Sequence, residues 1–252
     1  MKSKKTNNIK IQYLHDCILI QNQILVIGDI HIGYDEHFDG RAIFPGMQLD
    51  EIIDKLNGIF SYLKSRDILI KKIILLGDVK HDFGQISDIE WRETLQFLDF
   101  LKKNSEEVVV IRGNHDTILE PILYKRDIKL RDFYKLKING KNICFLHGNK
   151  LFKQCLDKQT AYLFFGHLHP AIVLEDPYKS EKFKCFLEGT WKNKQVFVLP
   201  SFSSWSYGYE ITEPNDRKFF VIDHKTLLSF NVILYDSREQ IPYNFGKVKN
   251  FR

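Results

Sequence analysis

The sequence of 252 residues has no long uninterrupted apolar run. Its longest apolar stretches, residues 68–76 and 143–146, are short or interrupted by lysine, whereas a helix that crosses a bilayer needs roughly 20 apolar residues. The basic N-terminus is not followed by an apolar segment with a small-residue cleavage site, which argues against a secretory signal. We therefore expect no membrane-spanning helix, no membrane partner and a cytoplasmic location.

Cysteine is also scarce. The four cysteines, Cys17, Cys144, Cys155 and Cys185, lie far apart and form no Cys-x-x-Cys pair that would chelate a metal or support redox chemistry. This predicts reduced, mostly buried thiols. Because no repeat, low-complexity tract or linker divides the chain, we expect a single domain over residues 1–252, with a core at about 9–235 and basic, flexible ends.

The composition, with 44% hydrophobic and 27% charged residues, is typical of a soluble globular protein. The formal charge of +5 gives a mild bias toward polyanionic partners such as nucleic acid.

Short apolar runs in the first two thirds of the chain read as buried strands. They are residues 24–27, 72–76, 108–111, 143–146 and 162–165. Apolar residues at helical spacing separate the first three runs, over 49–63 and over 91–101, the latter behind a possible cap at Ser87 or Asp88. The front half is thus β-α-β-α-β, an α/β pattern.

The back half reads as β-rich. Asn139-Gly140 lies between two strand-like runs and is a strong hairpin signal. Further strand-like runs with little helical periodicity are residues 184–187, 195–199, 219–222 and 231–234.

Five polar clusters follow predicted strands. They are GDIH with Asp29 and His31, GDVKHD with Asp78, RGNHD with Asn114, His115 and Asp116, LHG with His147, and GHLH with His167 and His169. Ligands bind at this edge of open α/β sheets, so the clusters are expected to form one site. Carboxylates, imidazoles and an amide oxygen are ligands of divalent cations. They are more numerous than one ion needs, and two ions about 3.5–4 Å apart that share a carboxylate would use them all.

The ordered set Asp-x-His, Gly-Asp, Gly-Asn-His-Asp, His-Gly and Gly-His-x-His, over residues 28–170, resembles the signature of the calcineurin-like metallophosphoesterases. The resemblance implies an α/β fold, a four-layer α/β/β/α sandwich with two mixed β-sheets. The segments GDVKHDFG, RGNHD, GHLHPA, KCFLEGTW and VLPSFS further resemble a subgroup of archaeal phosphoesterases and bacterial ligase-associated phosphoesterases. That subgroup is related to nucleases of double-strand-break repair.

The resemblance also implies a role for each matched residue. The first ion would be held by Asp29, His31, Asp78 and His169, and the second by Asp78, Asn114, His147 and His167. His115 would protonate the leaving oxygen, with Asp116 orienting its ring. We expect two manganese ions, with iron, zinc or nickel as alternatives. An extended backbone would point alternate side chains the same way, which would explain the Asp29, His31 and the His167, His169 pairs.

Several residues outside these blocks have two readings. His81 could contact substrate or belong to a polar loop, and Arg112 could pair with a phosphate or cap strand ends. The aromatic segment PSFSSWSYGYE could stack on bases or pack in a hairpin. His15, His37 and His224 are expected to be structural.

We expect a metal-dependent phosphoesterase that hydrolyses phosphodiester bonds of nucleic acid in DNA repair or processing, with a DNA-repair protein as a possible partner. The alternatives are a phosphodiesterase or phosphatase acting on small nucleotides, and a non-catalytic scaffold that binds a repair partner.

Overall fold

The computed structural model describes residues 9–34, 46–213 and 220–251. Within these ranges the chain forms sixteen strands and four α-helices. The strands are β1 (Ile11–Leu14), β2 (Cys17–Ile20), β3 (Ile24–Ile27), β4 (Lys72–Leu75), β5 (Glu107–Ile111), β6 (Leu130–Arg131), β7 (Tyr134–Ile138), β8 (Lys141–Leu146), β9 (Thr160–Phe165), β10 (Pro170–Glu175), β11 (Ser180–Lys184), β12 (Phe186–Trp191), β13 (Lys194–Val198), β14 (Tyr209–Glu210), β15 (Asn231–Asp236) and β16 (Ile241–Lys247). The helices are α1 (Met47–Lys64), α2 (Asp88–Lys103), α3 (Glu120–Tyr124) and α4 (His224–Leu227), and 3₁₀ turns cover Lys153–Leu156 and Val248–Phe251.

The first sheet has six strands in the order β1-β2-β3-β4-β5-β6. β1, β2 and β3 pair antiparallel, whereas β3 to β6 run parallel. Its strands are apolar on both faces because both faces are covered: in β3, Leu25 and Ile27 pack toward the helices, while Ile24 and Val26 pack toward the second sheet.

The second sheet has seven strands in the order β16-β15-β12-β13-β9-β8-β7 and is also mixed. Phe145, Phe164 and Phe197 from this sheet fill the space between the two sheets, with ring centroids about 5 Å apart. A third, small sheet of β11, β10 and β14 lies beside it, which the sequence did not predict.

The layers confirm the predicted α/β/β/α sandwich with two mixed sheets. α1, α2 and α3 cover the first sheet around one apolar cluster, and the inter-sheet core forms a second. A third cluster, with Leu163, Phe230 and Val248, lies on the outer face of the seven-stranded sheet. The outermost layer there is thin in the described part of the chain, with α4 and the 3₁₀ turns as its helical elements.

Local signals account for most elements. The Ser87 hydroxyl accepts a hydrogen bond from the amide of Glu90, so Ser87 caps α2. Asn139 and Gly140 both have positive φ between β7 and β8, as a tight hairpin turn requires.

Two strand predictions were wrong in part. The run at residues 184–187 spans the junction of β11 and β12, and residues 220–222 of the run at 219–222 form bends rather than a strand. Residue 219 lies outside the described ranges, as does His37. The antiparallel hairpin of β1 and β2 was not predicted.

All four cysteines are buried, as expected, but the prediction that all are reduced was wrong. Cys144 on β8 and Cys155 in the first 3₁₀ turn form a disulfide with a Cα–Cα distance of 5.5 Å, while Cys17 and Cys185 are free. The sequence spacing gave no signal of this disulfide, because Cys144 and Cys155 are brought together only when the 3₁₀ turn folds back beside β9 and onto β8.

Ordered structure continues past residue 235. β16 pairs with β15, and Val248 beyond it is fully buried. Among the helices of the described ranges, none combines the length and the apolar character that a membrane crossing requires. The organisation of residues 1–252 as one domain stays a prediction.

Candidate metal centre

The predicted ligands lie at one edge of the two sheets. Asp29 and His31 follow β3, Asp78 follows β4, Asn114 follows β5, and His147, His167 and His169 follow β8 and β9. Because these strands are parallel neighbours within their sheets, their carboxyl ends meet at this edge. Asp29, Asp78, His31 and His147 are buried there.

The backbone conformation at these residues differs from the expectation. Asp29, His31, Asp78, His167 and His169 all have φ between 46° and 65°, in the left-handed region. The extended segment expected at residues 29–31 and 167–169 was therefore wrong. Non-glycine residues adopt this conformation at a cost, and such residues cluster at functional sites. The amides of Ile30 and His31 both donate to the carbonyl of Asp78, which fixes the first block against the second.

The first group of side chains is Asp29, His31 and His169, whose ligand atoms lie within 4.8 Å of one another. The Nε2 atoms of His31 and His169 are 3.3 Å apart, and His169 Nε2 is 3.3 Å from Asp29 Oδ1. Both Asp29 oxygens also accept hydrogen bonds from the His167 amide. This group contains three of the four predicted ligands of the first ion.

The second group is Asp78, His147 and His167, again with ligand atoms within 4.8 Å of one another. His147 Nε2 lies 3.2 Å from Asp78 Oδ2 and 3.0 Å from Asn114 Oδ1. The two groups meet at Asp78, because His31 Nε2 is 3.9 Å from the same Asp78 Oδ2.

Burial and charge shift the pKa values of the two buried histidines in opposite directions. Burial, followed by the repulsion of His169, lowers the pKa of His31 to about 3. Burial also lowers the pKa of His147, but the carboxylates of Asp78 and Asp29 outweigh it and raise that pKa to about 9. Burial raises the pKa values of Asp29 and Asp78, yet the facing histidines bring both below the usual range.

These side chains fit divalent cations. The Nδ1 atom of His147 donates to the Leu76 carbonyl at 2.8 Å, so its Nε2, which faces two oxygens, must carry a proton without a metal. A cation would replace that proton, and a histidine ligand fixed by a carbonyl through its other nitrogen is the usual arrangement. Asp29, His31, Asp78 and His169 would hold one ion, and Asp78, Asn114, His147 and His167 the other.

His115 lies beside both groups. Its Nε2 is 3.9 Å from Asp78 Oδ2, its amide donates to Asp78 Oδ1 at 2.9 Å, and its Nδ1 contacts the carbonyl of His81. Asp116 does not orient this ring as expected. Its buried carboxylate accepts hydrogen bonds from the amides of Val79 and Gly113 instead, and burial, then Asp78, raises its pKa to about 7.

The two candidates for substrate binding are placed differently. His81 lies in the site, with its ring 5.5 Å from the rings of both His31 and His115. The Arg112 guanidinium pairs with Glu120 and Asp132 at 3.5 and 3.6 Å. These partners are carboxylates rather than strand-end carbonyls, and phosphate binding by Arg112 stays a prediction.

Several supporting residues were missed. Gln48 of α1 is fully buried and donates to the His31 carbonyl at 2.8 Å and to Ser203 Oγ at 3.1 Å. Ser201 Oγ donates to the Asp29 carbonyl, and Glu90 of α2 accepts from the amides of His81 and Asp82. Gln48 and Glu90 occupy buried positions on their helices, which is the one signal that could have marked them.

One exposed aromatic side chain contacts the site, and a second follows a site-contacting residue in the chain. Phe83 is 58% exposed with its ring centroid 3.6 Å from that of His115, and Tyr207 is 78% exposed. Tyr207 follows Ser206, whose Oγ is 3.3 Å from His169 Nδ1. The aromatic segment thus divides between the two readings, since Phe202 is buried and the Trp205 indole donates to Glu51.

Several solved structures are similar to this one in fold. Over 90% of its length the chain matches 96% of a Pseudomonas putida nuclease, MPE, with 20% identity and a TM-score of 0.55, a likeness of fold. The phosphoesterase Yfce from E. coli matches over 89% of this chain and 97% of its own, with 12% identity and a TM-score of 0.44. An archaeal phosphodiesterase matches over 88% and 98%, with 12% identity and a TM-score of 0.39.

No curated protein sequence matches significantly. The family model for calcineurin-like phosphoesterases matches residues 23–234, most of the chain and every predicted ligand. The prediction of a metal-dependent phosphoesterase is thereby confirmed, and the chain belongs to the calcineurin-like phosphoesterase family.

Proposed function

We propose that this enzyme hydrolyses phosphodiester bonds of nucleic acid in DNA repair or processing, in the cytoplasm. The observation that carries the proposal is the meeting of two ligand groups at Asp78, which gives places for two ions beside His115. Two divalent ions, manganese by our proposal, supply charge neutralisation of the phosphoryl group and activation of water.

The proton for the leaving oxygen would come from a residue of the chain, His115. The contact of His115 Nδ1 with the His81 carbonyl orients the ring, so that Nε2 faces the space above Asp78. From there it can deliver a proton to the leaving oxygen. Glu90 holds the segment that carries His81 through two backbone amides, so α2 indirectly positions the His115 ring.

The exposed aromatics favour a polymer over a small ester. Phe83 contacts the His115 ring, and Tyr207 is the residue after Ser206, whose hydroxyl contacts His169. Exposed rings that flank a centre for phosphoryl chemistry suit the stacking of successive bases, worth about 1–3 kcal/mol for each base. A nuclease among proteins of this fold agrees with this substrate class.

The test compares bis-p-nitrophenyl phosphate, a diester, with p-nitrophenyl phosphate, a monoester, in manganese. Wild type should prefer the diester, and Asp78→Asn should lose the activity, whereas Asp54→Asn on the exposed face of α1 should retain it. Single-stranded DNA is the next substrate to test. On this substrate, Phe83→Leu and Tyr207→Leu should each raise KM severalfold.

Other outcomes would change the proposal. Activity confined to small nucleotides or monoesters would replace the nucleic-acid substrate with a small one. Metal-loaded protein that hydrolyses no phosphoester would indicate a scaffold, and a DNA-repair protein would then be the partner to seek.

A further inference from the structure

A second pocket lies at the edge of the six-stranded sheet. It has a volume of about 480 Å³, and its walls come from the edge strand β1, the C-terminal end of α1 and the β15–β16 hairpin. None of the residues lining this edge pocket is a predicted metal ligand or His115. Its volume falls within the range of small-molecule sites.

The inside of the edge pocket is apolar and aromatic. Leu14, Leu19 and Leu63 belong to the buried core beneath it, and Tyr62 and Tyr235, which pack against the same core, also line it. Flat aromatic walls of this kind suit a planar ring, because offset or edge contacts between rings add to the burial of their area.

Cations line the same pocket. The Arg66 guanidinium carbon lies 4.5 Å from the centroid of the Tyr62 ring, and Lys10 lines the pocket as well. Both residues are exposed, and neither side chain pairs with a carboxylate among the described residues. Arginine stacked on a ring and free to bind an anion suits a phosphate.

Two pocket residues carry buried polar atoms without hydrogen bonds. Gln12 Oε1 and the Tyr235 hydroxyl find no partner among the described residues, and both side chains line the pocket. Leaving a buried polar atom unsatisfied is unfavourable, so a ligand that hydrogen-bonds here gains affinity. The Gln12 carboxamide presents one acceptor and two donors, the pattern with which glutamine pairs with the adenine edge.

From these features together we infer that the edge pocket binds a nucleoside monophosphate. The base enters between Tyr62 and Tyr235 and pairs with Gln12, and the phosphate lies at the mouth against Arg66 and Lys10. The inference goes beyond the proposed function and does not depend on it, since the site uses none of the metal ligands.

The test is calorimetric titration with AMP of protein treated with EDTA, which removes any contribution of bound metals. Wild type should bind one AMP per chain. Arg66→Gln and Gln12→Leu should each weaken binding about tenfold, while Arg92→Gln, an exposed arginine on α2, should leave it unchanged.

Adenosine separates the two parts of the site. It should bind wild type more than tenfold more weakly than AMP, and this difference should shrink in Arg66→Gln, where Lys10 alone remains at the phosphate. No AMP binding to wild type, or binding that Arg66→Gln and Gln12→Leu leave unchanged, would overturn the inference. A circular dichroism spectrum equal to that of wild type excludes misfolding of either variant.

Discussion

His147 and His169 belong to opposite halves of the metal centre and are held by different means. The His147 side chain is 1% exposed, and a main-chain carbonyl fixes its Nδ1. The His169 side chain is 19% exposed, and its Nδ1 meets a serine hydroxyl at 3.3 Å. We call the Asp78, Asn114, His147 and His167 side the main-chain half, and the Asp29, His31 and His169 side the side-chain half.

The same contrast extends through the support of each half. In the main-chain half, Asp78 accepts from the His115 amide and His147 donates to Leu76 at the end of β4. In the side-chain half, the backbone of Asp29 and His31 contacts the side chains of Ser201 and Gln48 in addition to the Asp78 carbonyl, to which the His31 amide donates. The partners in the first set are main-chain groups, which remain when their own side chains are substituted, whereas substitution of Ser201 or Gln48 removes contacts of the second set.

The largest expected effect concerns a residue that contacts Asp78 but belongs to neither half. His115→Ala should lower kcat about 10²- to 10⁴-fold, because a general acid contributes this much. Both ions should remain bound, since the side chain is no predicted ligand. Turnover of the diester and metal content by mass spectrometry measure the two effects, with His224→Ala as the control outside the centre. Loss of metal would show that His115 is a ligand.

The second-largest expected effect is a difference in stability between substitutions in the two halves. In EDTA, His147→Ala should lower the free energy of unfolding by about 3 kcal/mol, since it leaves the buried Leu76 carbonyl unpaired and a cavity behind. His169→Ala should cost less, about 1 kcal/mol, because His169 is partly exposed and its partner Asp29 keeps the hydrogen bonds from the His167 amide. Urea unfolding measures both, and equal losses would contradict the contrast between the halves.

The ligands of the site were easier to predict from the sequence than the residues that support them. Asp78, Asn114 and His147 directly follow apolar runs, so local pattern placed them at one edge. Gln48 carried no such signal, because it is one polar residue on a helix whose partner Ser203 lies 155 residues away. The sequence pattern also did not predict the left-handed backbone at Asp29 and His31, because this conformation depends on contacts of backbone amides with the Asp78 carbonyl.

The fold was predictable to a similar degree. Continuous apolar runs marked β3, β4 and β5 because both faces of these strands are buried. β10 and β11 are partly exposed and form a separate sheet that no local spacing indicates. Cys185, between β11 and β12, is buried and apolar, which hid the boundary between two strands inside one run.

The contribution of Lys184 to stability should depend on pH. This lysine contacts the segment that supports the side-chain half. Lys184 donates to the carbonyls of Ser201 and Ser203, and burial lowers its pKa to about 8, with Asp16 and Asp29 raising it and Lys55 lowering it to a smaller extent. Lysine in an unfolded chain has a pKa of about 10.4. Between these values the unfolded chain binds more protons, so stability rises with pH.

The rise attributable to Lys184 should be about 2 kcal/mol from pH 8 to pH 10. Urea unfolding at both pH values measures it as the difference between wild type and Lys184→Met. Lys182→Met, an exposed lysine on the same strand, should keep the full rise. An unchanged rise in Lys184→Met would show that this lysine keeps its ordinary pKa.

The smallest expected effect is on the affinity for one of the two ions. Gln48→Leu removes the hydrogen bonds to the His31 carbonyl and Ser203 Oγ, so the His31 ring loses part of its fixed orientation. Loss of such outer contacts weakens metal binding by about tenfold or more. Manganese titration should show one of two sites weakened about tenfold and the other unchanged, with Gln96→Leu on the exposed face of α2 as control. Equal weakening of both sites would mean that the halves respond as one unit through Asp78, and that the side-chain half has no independent support.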